Sequence, residues 1–251
     1  MRVLMPLPSR DFDPTESAVP WRVLTEAGHR VDFATPDGLP GQADGRMITG
    51  RGLFIWSSLL RADALARATY ADMIAAPAFQ KPLAYESLDA SAFDALVLPG
   101  GHAPGMKAYL ESTLLGALVG EMFAADKPVG AICHGVVLAA RSHDPRTGAS
   151  VLAGRRTTAL TRALELSGFA LTALWLGRYY RTYPQTVQAE VIAALGDPKL
   201  FDPGPPALLR DAPDKLSRGF TVRDGRYLSA RWPGDAWRFS TEFAALLAEP
   251  H

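Results

Sequence analysis

Short apolar runs alternate with amphipathic patterns along the first half of the chain. The run R-V-L-M-P-L-P at residues 2–8 predicts a buried strand, and the segment after it predicts a helix. Asp13 is the expected N-cap of this helix, Pro14 suits its first position, and Gly28 can end it. A second strand, R-V-D-F-A-T-P, follows directly. A crossover this short and helical predicts that the two strands pair in parallel.

The same alternation continues toward the middle of the chain. Helical periodicity covers residues 61–76, and F-D-A-L-V-L-P predicts a third strand that runs into a glycine-rich segment. A helical pattern at about 112–124 then leads to another strand, K-P-V-G-A-I-C, which ends at residue 133. This order of elements predicts an α/β fold with a mainly parallel sheet.

The second half of the chain is less regular. Residues 196–218 hold five prolines and predict an irregular connection over the surface. The segment F-T-V-R-D-G-R-Y-L-S-A predicts a hairpin with its turn centred on Asp224-Gly225. Further helices are predicted at 161–173, 184–195 and about 234–248. Because no internal repeat or long linker divides the chain, a single domain over residues 1–251 is favoured.

Composition and charge narrow the class of protein. The 26 basic and 26 acidic residues cancel, so the chain lacks the basic surface expected of a binder of nucleic acid or of anionic membranes. No apolar run approaches the roughly 20 residues that span a bilayer, and the opening residues do not resemble a secretory signal. We therefore expect a soluble cytoplasmic protein. Its single cysteine forms no intrachain disulfide.

That cysteine, Cys133, stands in V-G-A-I-C-H-G-V-V-L-A-A, where an apolar run meets a helix of small residues. Small residues two before and two after it suit a nucleophile elbow. At such a turn the helix N-terminus favours the thiolate, which can lower a cysteine pKa from ~8.5 into the range ~3.5–7.5. The alternative is a small, inert side chain in the core. The context favours the nucleophile.

Two further segments follow strands whose ends are expected at the same edge of the sheet. The glycines of P-G-G-H-A-P-G, residues 99–105, suit backbone N–H groups that approach a bound carbonyl, although an ordinary turn has the same composition. In D-P-T-E, Glu16 either completes a capping box with Asp13 or points toward the thiol.

Taken together, these motifs resemble the ThiJ/PfpI superfamily of class I glutamine amidotransferase-like proteins. The matching segments are F-D-P-T-E, L-P-G-G-H, A-I-C-H-G and the late D-G-R-Y-L-S-A-R-W-P-G-D-A. Extra segments at about 37–92 and 167–215 are similar to the larger, chaperone-like branch that includes glutathione-independent glyoxalase III enzymes. The resemblance implies a flavodoxin-like three-layer sandwich and a homodimer.

The resemblance also implies roles for individual residues. Cys133 is then the nucleophile, Glu16 the carboxyl group beside it, and His134 the histidine that follows it. Backbone N–H groups of Gly101 and His134 are expected to form an oxyanion hole. Gly100 and His102 are expected to line the same substrate-binding loop. Glu165 is either a third catalytic partner or an exposed helix charge.

The expected reaction is the glyoxalase III-like conversion of methylglyoxal to a 2-hydroxy acid, with deglycase activity at the same site. Within enzymes the alternative is an amidase or peptidase, although neighbours such as Cys133 and His134 usually point apart on an elbow. The alternative outside catalysis is a stress chaperone or oxidation sensor.

No cofactor is expected, because the histidines lack metal-binding spacing such as H-E-x-x-H and the chain has no phosphate-binding glycine motif. The segment R-Y-Y-R-T-Y-P at 178–184 is expected beside the site or at a subunit interface.

Overall fold

The computed structural model describes residues 1–249, so the last two residues of the domain predicted over 1–251 lie outside it. The strands are β1 (Arg2–Pro6), β2 (Arg10–Phe12), β3 (Arg30–Thr35), β4 (Gln42–Ala43), β5 (Leu83–Ala84), β6 (Ala95–Leu98), β7 (Val129–Ile132), β8 (Thr221–Asp224) and β9 (Tyr227–Ala230). The helices are α1 (Pro14–Glu26), α2 (Gly45–Thr49), α3 (Ser57–Leu60), α4 (Ala64–Ala75), α5 (Pro77–Gln80), α6 (Lys107–Leu110), α7 (Thr113–Ala124), α8 (Gly135–Arg141), α9 (Arg162–Leu176), α10 (Val187–Leu195) and α11 (Ala236–Leu247).

Seven strands form the main sheet in the order β5-β3-β1-β6-β7-β9-β8. All neighbours pair in parallel except β8 and β9, which form an antiparallel hairpin. The central order β3-β1-β6-β7-β9 is the 2-1-3-4-5 arrangement of flavodoxin-like folds. Every residue of β6 and β7 is buried, as a sheet covered on both faces requires. The predicted α/β class and its mainly parallel sheet are confirmed.

The helices cover the sheet in two groups. One group contains α1, α4 and α11, and the other contains α7, α8 and α10. Gly130 in β7 leaves space for α11, because a Cβ atom there would lie 2.8 Å from Phe239 and 3.1 Å from Phe243. Within residues 1–249, no helix combines the length and the apolar character that crossing a bilayer requires.

The start of α1 follows the sequence prediction. The carboxylate of Asp13 accepts hydrogen bonds from the N–H groups of Thr15 (2.7 Å) and Glu16 (3.0 Å), and Pro14 occupies the first helical turn. These bonds satisfy two of the N–H groups that a helix start leaves free. Gly28 follows the helix with φ +81°, a conformation that glycine adopts without strain.

The hairpin turn lies one residue later than predicted. Asp224 pairs with Tyr227, so the two turn residues are Gly225 and Arg226 rather than Asp224 and Gly225. Gly225 takes the positive φ of +59° that the first turn position requires. Asp224 instead accepts a hydrogen bond from the Arg156 N–H (2.9 Å). The sequence pattern also missed β2 and β4, which form a separate parallel pair.

The irregular connection at 196–218 is attached to the sheet by a buried ion pair. Arg231 and Asp235 form two parallel hydrogen bonds of 2.9 Å, with side-chain exposures of 2% and 0%. The remaining guanidinium nitrogen of Arg231 donates to the carbonyls of Pro203 (3.3 Å) and Pro205 (2.6 Å). Further along, the Asp211 N–H donates to the Gly234 carbonyl (2.8 Å). The segment between residues 205 and 211 is thus fixed at one end by Arg231 and at the other by the Gly234 carbonyl.

The carboxyl ends of β1, β6, β7 and β9 lie at one edge of the sheet, because these strands run in parallel. Binding sites of open α/β sheets lie at this edge. The glycine-rich segment after β6 and the turn after β7 therefore meet the start of α1 there.

Gly135, the first residue of α8, has no room for a side chain. A Cβ atom would lie 2.0 Å from the Leu98 carbonyl oxygen, a backbone atom of β6. We expect Gly135→Ala to lower the free energy of unfolding by about 1–3 kcal/mol, as overpacking usually does. Thermal unfolding of the two proteins measures this, with about 2–4 °C expected per kcal/mol in a chain of this size.

Gly116→Ala is the matched control. Gly116 lies inside α7, and an added Cβ meets only Ser142 Oγ at 3.9 Å. Removing a helical glycine at an open position should stabilise the protein by about 0.5–1 kcal/mol. Equal melting temperatures for the two variants would contradict the tight packing at Gly135.

Candidate active site

Cys133 lies on a sharp turn between β7, which ends at Ile132, and α8, which begins at Gly135. Its backbone has φ +56°, in the left-handed region that costs an L-residue about 1–2 kcal/mol. Its N–H donates to the Ala230 carbonyl at the end of β9 (3.0 Å). The geometry is that of a nucleophile elbow, as the spacing predicts. The chemical role of the thiol stays a prediction.

The thiol is buried among two histidines. Cys133 has no exposed surface, and its Sγ lies 3.6 Å from His134 Nδ1. The two neighbouring side chains are thus in contact, and the expectation that they point apart is wrong here. The His102 ring packs edge-on against His134, with ring centroids 5.0 Å apart. One nitrogen of each ring and the sulfur lie within 4.8 Å of one another.

Glu16 belongs to this site and not to a capping box. Its Oε2 accepts a hydrogen bond from the Gly100 N–H (2.9 Å), while the Asp13 N–H donates to the Gly100 carbonyl (2.9 Å). The N–H that a capping box would use is therefore already engaged. The other oxygen, Glu16 Oε1, is buried without a hydrogen-bond partner within residues 1–249, and the carboxyl group adjoins the Cys133 thiol.

Gly100 permits this close approach of three segments. A Cβ atom on Gly100 would lie 2.6 Å from Glu16 Oε2 and 2.7 Å from the His134 nitrogen. Because its own N–H is bound to Glu16, Gly100 is not an oxyanion donor. The Gly101 N–H has no acceptor in the described part of the chain, and the His134 N–H contacts the Cys133 sulfur. These two groups remain the candidate donors.

The pKa of the Cys133 thiol is raised well above its usual value, contrary to the expectation of a lowered one. Burial is the main cause, and the nearby carboxyl groups of Glu16 and Asp13 act in the same direction. The His134 N–H opposes them. The pKa of Glu16 is also raised well above its usual value, chiefly by burial and next by Asp13. The lowering of the Cys133 pKa expected from the helix N-terminus is thus smaller than the increase caused by burial of the thiol.

Cys133 and Glu16 influence each other's pKa. The carboxyl group of Glu16 raises the pKa of Cys133, whereas the thiol, as a hydrogen-bond donor to Glu16, lowers the pKa of that carboxyl group. When the proton resides on Glu16, the repulsion between the two groups disappears and the thiolate becomes the charged member. The site can therefore supply a nucleophile and a neighbouring acid from one shared proton.

Both histidines are neutral at neutral pH. Burial lowers the pKa of His102 to about 4. It lowers the pKa of His134 well below its usual value, with smaller effects of His102 and Arg141. A neutral imidazole offers one nitrogen with a free lone pair. His134 is therefore a potential base beside the sulfur and not a cation that stabilises the thiolate.

Glu165 lies away from the thiol, in the first turn of α9. One carboxylate oxygen accepts from Arg181 (3.1 Å) and the other from the Val187 N–H at the start of α10 (2.9 Å). Its buried position excludes an exposed helix charge. No contact with His134 or Cys133 is present within residues 1–249, so the geometry gives the proposed catalytic partnership no support. The carboxylate instead joins α9, α10 and the segment around Arg181.

A mainly apolar cavity of about 230 Å³ adjoins His102 and Asp13. Tyr180 lines it, and Thr182 donates a hydrogen bond to the His102 carbonyl (2.7 Å), so the segment 178–184 packs beside the site as expected. Most of the apolar wall comes from three segments that the sequence motifs do not mark. Its members include Met47, Leu59, Leu60, Leu160, Leu164, Phe169, Leu171, Ala207, Leu208 and Trp232.

The sequence patterns also do not mark Arg210 as a residue of the site. Its guanidinium lines the cavity, donates weakly to the carbonyls of Leu59 (3.5 Å) and Leu60 (3.4 Å), and stacks over Trp232 at 5.5 Å. Its charge favours the ionised form of Asp13, although burial still raises the pKa of that carboxyl group. Because Arg210 lies in the irregular connection, no periodic pattern marks it.

We expect Glu16→Gln to lower the pKa of Cys133, because the substitution removes a carboxyl group that raises it. The pH dependence of iodoacetamide alkylation under denaturant-free conditions measures the change. Glu26→Gln, at the exposed end of the same helix, is the control and should leave the profile unchanged. A Cys133 pKa that is unchanged or higher in Glu16→Gln would contradict the assigned coupling.

The comparisons with known proteins point to one family. Residues 7–189 match a family profile described as ThiJ/PfpI family-like. Deglycase PfpI of Pyrococcus furiosus is 24% identical over 249 residues, covering 98% of this chain and 99% of that protein. A deglycase of Thermococcus kodakarensis is 29% identical over 165 residues, 66% of this chain and 69% of the relative. Protein DJ-1 homolog D of Arabidopsis thaliana is matched over only 21% of its length.

A solved structure shows the same fold. The crystal structure of glyoxalase III from Candida albicans superposes with a TM-score of 0.71 at 19% identity, covering 98% of this chain and 97% of that one. At this identity the likeness concerns the fold and carries no assignment of activity.

Proposed function

The chain belongs to the ThiJ/PfpI-like family, and from that premise we propose that it is a cysteine-dependent, glutathione-independent glyoxalase III-like enzyme. Its substrate would be a 2-oxoaldehyde such as methylglyoxal, and its product the corresponding 2-hydroxy acid. Relatives named deglycases support a second use of the same site on early glycation adducts.

One observation carries this proposal, namely that Gly100 holds the carboxyl group of Glu16 against the turn that carries Cys133. Both groups are fully buried, and Glu16 Oε1 is free of other hydrogen bonds in the described residues. Converting a 2-oxoaldehyde to a 2-hydroxy acid requires a nucleophile at one carbon and a group that carries a proton to the next. A thiol with a carboxyl group at its side supplies both functions.

The first step is addition of the Cys133 thiolate to the aldehyde carbon. A C–S bond forms, the carbonyl electron pair moves to oxygen, and that oxygen takes up a proton to give a hemithioacetal. The N–H groups of Gly101 and His134 are the candidate donors that stabilise the charge on this oxygen. Gly100 holds Glu16 in place during this step through its own N–H.

The second step moves a proton between adjacent carbons. Glu16, ionised after delivering its proton, removes the proton from the former aldehyde carbon to give an enediolate and returns it to the neighbouring carbon. The hydroxyl proton on the first oxygen passes to the second oxygen, so that the first carbon becomes a carbonyl and the second carries the hydroxyl group. The raised pKa of Glu16 suits this exchange near neutral pH. The product is a thioester of the 2-hydroxy acid. Water then attacks the thioester, the C–S bond breaks, and the thiol regains its proton.

The size of the cavity bears on the substrate. Methylglyoxal fills only part of the roughly 230 Å³ beside His102, and the remaining wall is mainly apolar. The remaining space supports the proposal that the site also binds larger 2-oxoaldehydes or aldehyde adducts on an amino acid side chain. Polar side chains that line the cavity, among them Asp13, Glu165 and Arg210, are available to orient such a substrate.

We expect the purified, reduced protein to form D-lactate from methylglyoxal without glutathione. Cys133→Ala should abolish turnover, and Glu16→Gln should lower kcat by about 10²–10⁴-fold, the usual contribution of a general acid–base group. Glu26→Gln, exposed on the same helix, should leave kcat unchanged. Absence of lactate with wild-type protein that is folded and reduced would overturn the proposal for this substrate.

An amidase or peptidase is the alternative within enzymes. The 3.6 Å contact between Cys133 Sγ and His134 Nδ1 favours it, because a neutral histidine in that position can accept the thiol proton and later protonate an amine. Peptide or amide cleavage that disappears in Cys133→Ala would support this alternative.

A chaperone role is supported by a different observation. Large apolar side chains are exposed on segments that line the cavity, with Ile55 at 80%, Leu174 at 93% and Leu208 at 83% exposure. Large exposed apolar side chains of this kind can bind unfolded chains. The oxidation-sensor alternative fits less well, because a sensor thiol is accessible and has a lowered pKa, whereas Cys133 has neither property.

If the apolar surface protects clients, Leu174→Asp should reduce suppression of thermal aggregation of a test protein. Cys133→Ala should retain that suppression, because the thiol lies inside the protein. Leu174→Asp should also keep methylglyoxal turnover, since Leu174 does not line the cavity. Equal protection by wild type and Leu174→Asp would argue against this surface.

We also propose a cytoplasmic homodimer without nucleic-acid or membrane partners. The zero formal net charge supports the absence of such partners, and the family resemblance supports the dimer. Light scattering of the purified protein measures its mass in solution.

A further inference from the structure

We propose that Cys133, His102 and His134 bind a single zinc ion, which would regulate the same site by blocking its thiol. The inhibitory part of this inference rests on the proposed function, whereas the binding of the ion does not. It departs from the expectation that no metal binds.

The separation of the donor atoms fits a tetrahedral ion. Zinc–sulfur bonds of about 2.3 Å and zinc–nitrogen bonds of about 2.0–2.1 Å, at the tetrahedral angle, place the two ligand atoms about 3.6 Å apart. Cys133 Sγ and His134 Nδ1 are 3.6 Å apart. A nitrogen of His102 lies within 4.8 Å of both. A small rotation of this third side chain therefore completes the ligand set.

The chemistry of the donors points to the same class of ion. One thiolate and two imidazoles form a set that zinc, cobalt and other late divalent metals prefer over magnesium or calcium. Three protein ligands leave a fourth position open, as in catalytic zinc sites. Glu16 Oε1 adjoins the sulfur and has no other partner in the described residues, so it or a water can occupy that position.

The ion and the substrate compete for one atom. A sulfur bonded to zinc cannot add to an aldehyde, because the lone pair that would form the C–S bond is donated to the metal. We therefore expect zinc to inhibit reversibly, with activity restored when a chelator removes it.

The sequence does not reveal these ligands because they come from two separate loops. His102 follows β6, whereas Cys133 and His134 follow β7, and only parallel pairing of the two strands brings them together. The short-range spacings by which zinc motifs are recognised are absent for this reason.

Cobalt(II) is the probe for the experiment, because a cobalt–thiolate bond produces a near-ultraviolet charge-transfer band and tetrahedral cobalt absorbs in the visible range. Titration of the reduced, metal-free protein under anaerobic conditions should reach both bands at one equivalent. Zinc should displace the cobalt and remove the bands. Absence of a thiolate–cobalt band at one equivalent would overturn the proposal.

Two variants test proposed ligands, and a third is the control. Cys133→Ser should lose the charge-transfer band, and His102→Asn should weaken cobalt binding by at least about tenfold, a loss that even outer-shell partners of a metal cause. His143→Asn is the matched control, because His143 is an exposed histidine outside the cluster and should bind cobalt as wild type does. Binding that is equal in His102→Asn and wild type would refute His102 as a ligand and with it this three-ligand site.

Activity is measured separately. Inhibition of lactate formation that follows zinc occupancy, and reversal by a chelator, would support the regulatory role. Lactate formation without cobalt binding would refute the metal site and leave the proposed function intact. Cobalt binding without any lactate formation would refute the proposed function and leave the metal site intact.

Discussion

The left-handed backbone of Cys133 is the constraint on which the rest of the site depends. This conformation costs an L-residue about 1–2 kcal/mol, so neighbouring segments must hold it in place. The end of β9 does so through the Ala230 carbonyl, and the end of β6 does so through close packing on Gly135. Once the turn is held, the thiol can only face the edge of the sheet where Glu16 and His102 also lie.

Burial then decides the chemistry at this edge. Cys133, Glu16 and Asp13 all have raised pKa values, because three acidic groups share a region from which water is largely excluded. Each member of such a cluster keeps its proton to a higher pH than it would in water. The two proposals depend on this property in opposite ways. Proton exchange between Glu16 and a bound substrate uses the retained proton, whereas a bound cation takes its place.

Local patterns predicted the parts of the structure that depend on few neighbours. The cap at Asp13, the elbow at Cys133 and the main alternation of strands and helices along the chain follow from local patterns. The direction of the Cys133 pKa did not follow, because it depends first on burial in the folded protein and next on carboxyl groups more than a hundred residues away in the chain. Glu16 satisfied two patterns at once, and only the position of Gly100 shows that it serves the site.

Other features could not be predicted because they depend on packing. The bonding partners of Glu165 lie 16 and 22 residues away, in segments whose placement is set by the fold. The hairpin turn shifted by one residue because the glycine, and not the aspartate, has to supply the positive φ. Arg210 belongs to a segment without periodicity, so no sequence signal separates it from ordinary loop residues. Much of the cavity wall comes from helices such as α9, and a helical pattern does not say which of its apolar residues line a cavity.

The buried pair of Arg231 and Asp235 has a consequence for how such a protein can diversify. Its bonds to the carbonyls of Pro203 and Pro205, together with the bond from Asp211 to Gly234, involve backbone atoms on the connection itself. The side chains between these anchors can therefore vary without releasing the segment. Related proteins can therefore change the shape of the substrate cavity through a few substitutions at residues 206–210. Cys133 and Glu16 need not change when this happens.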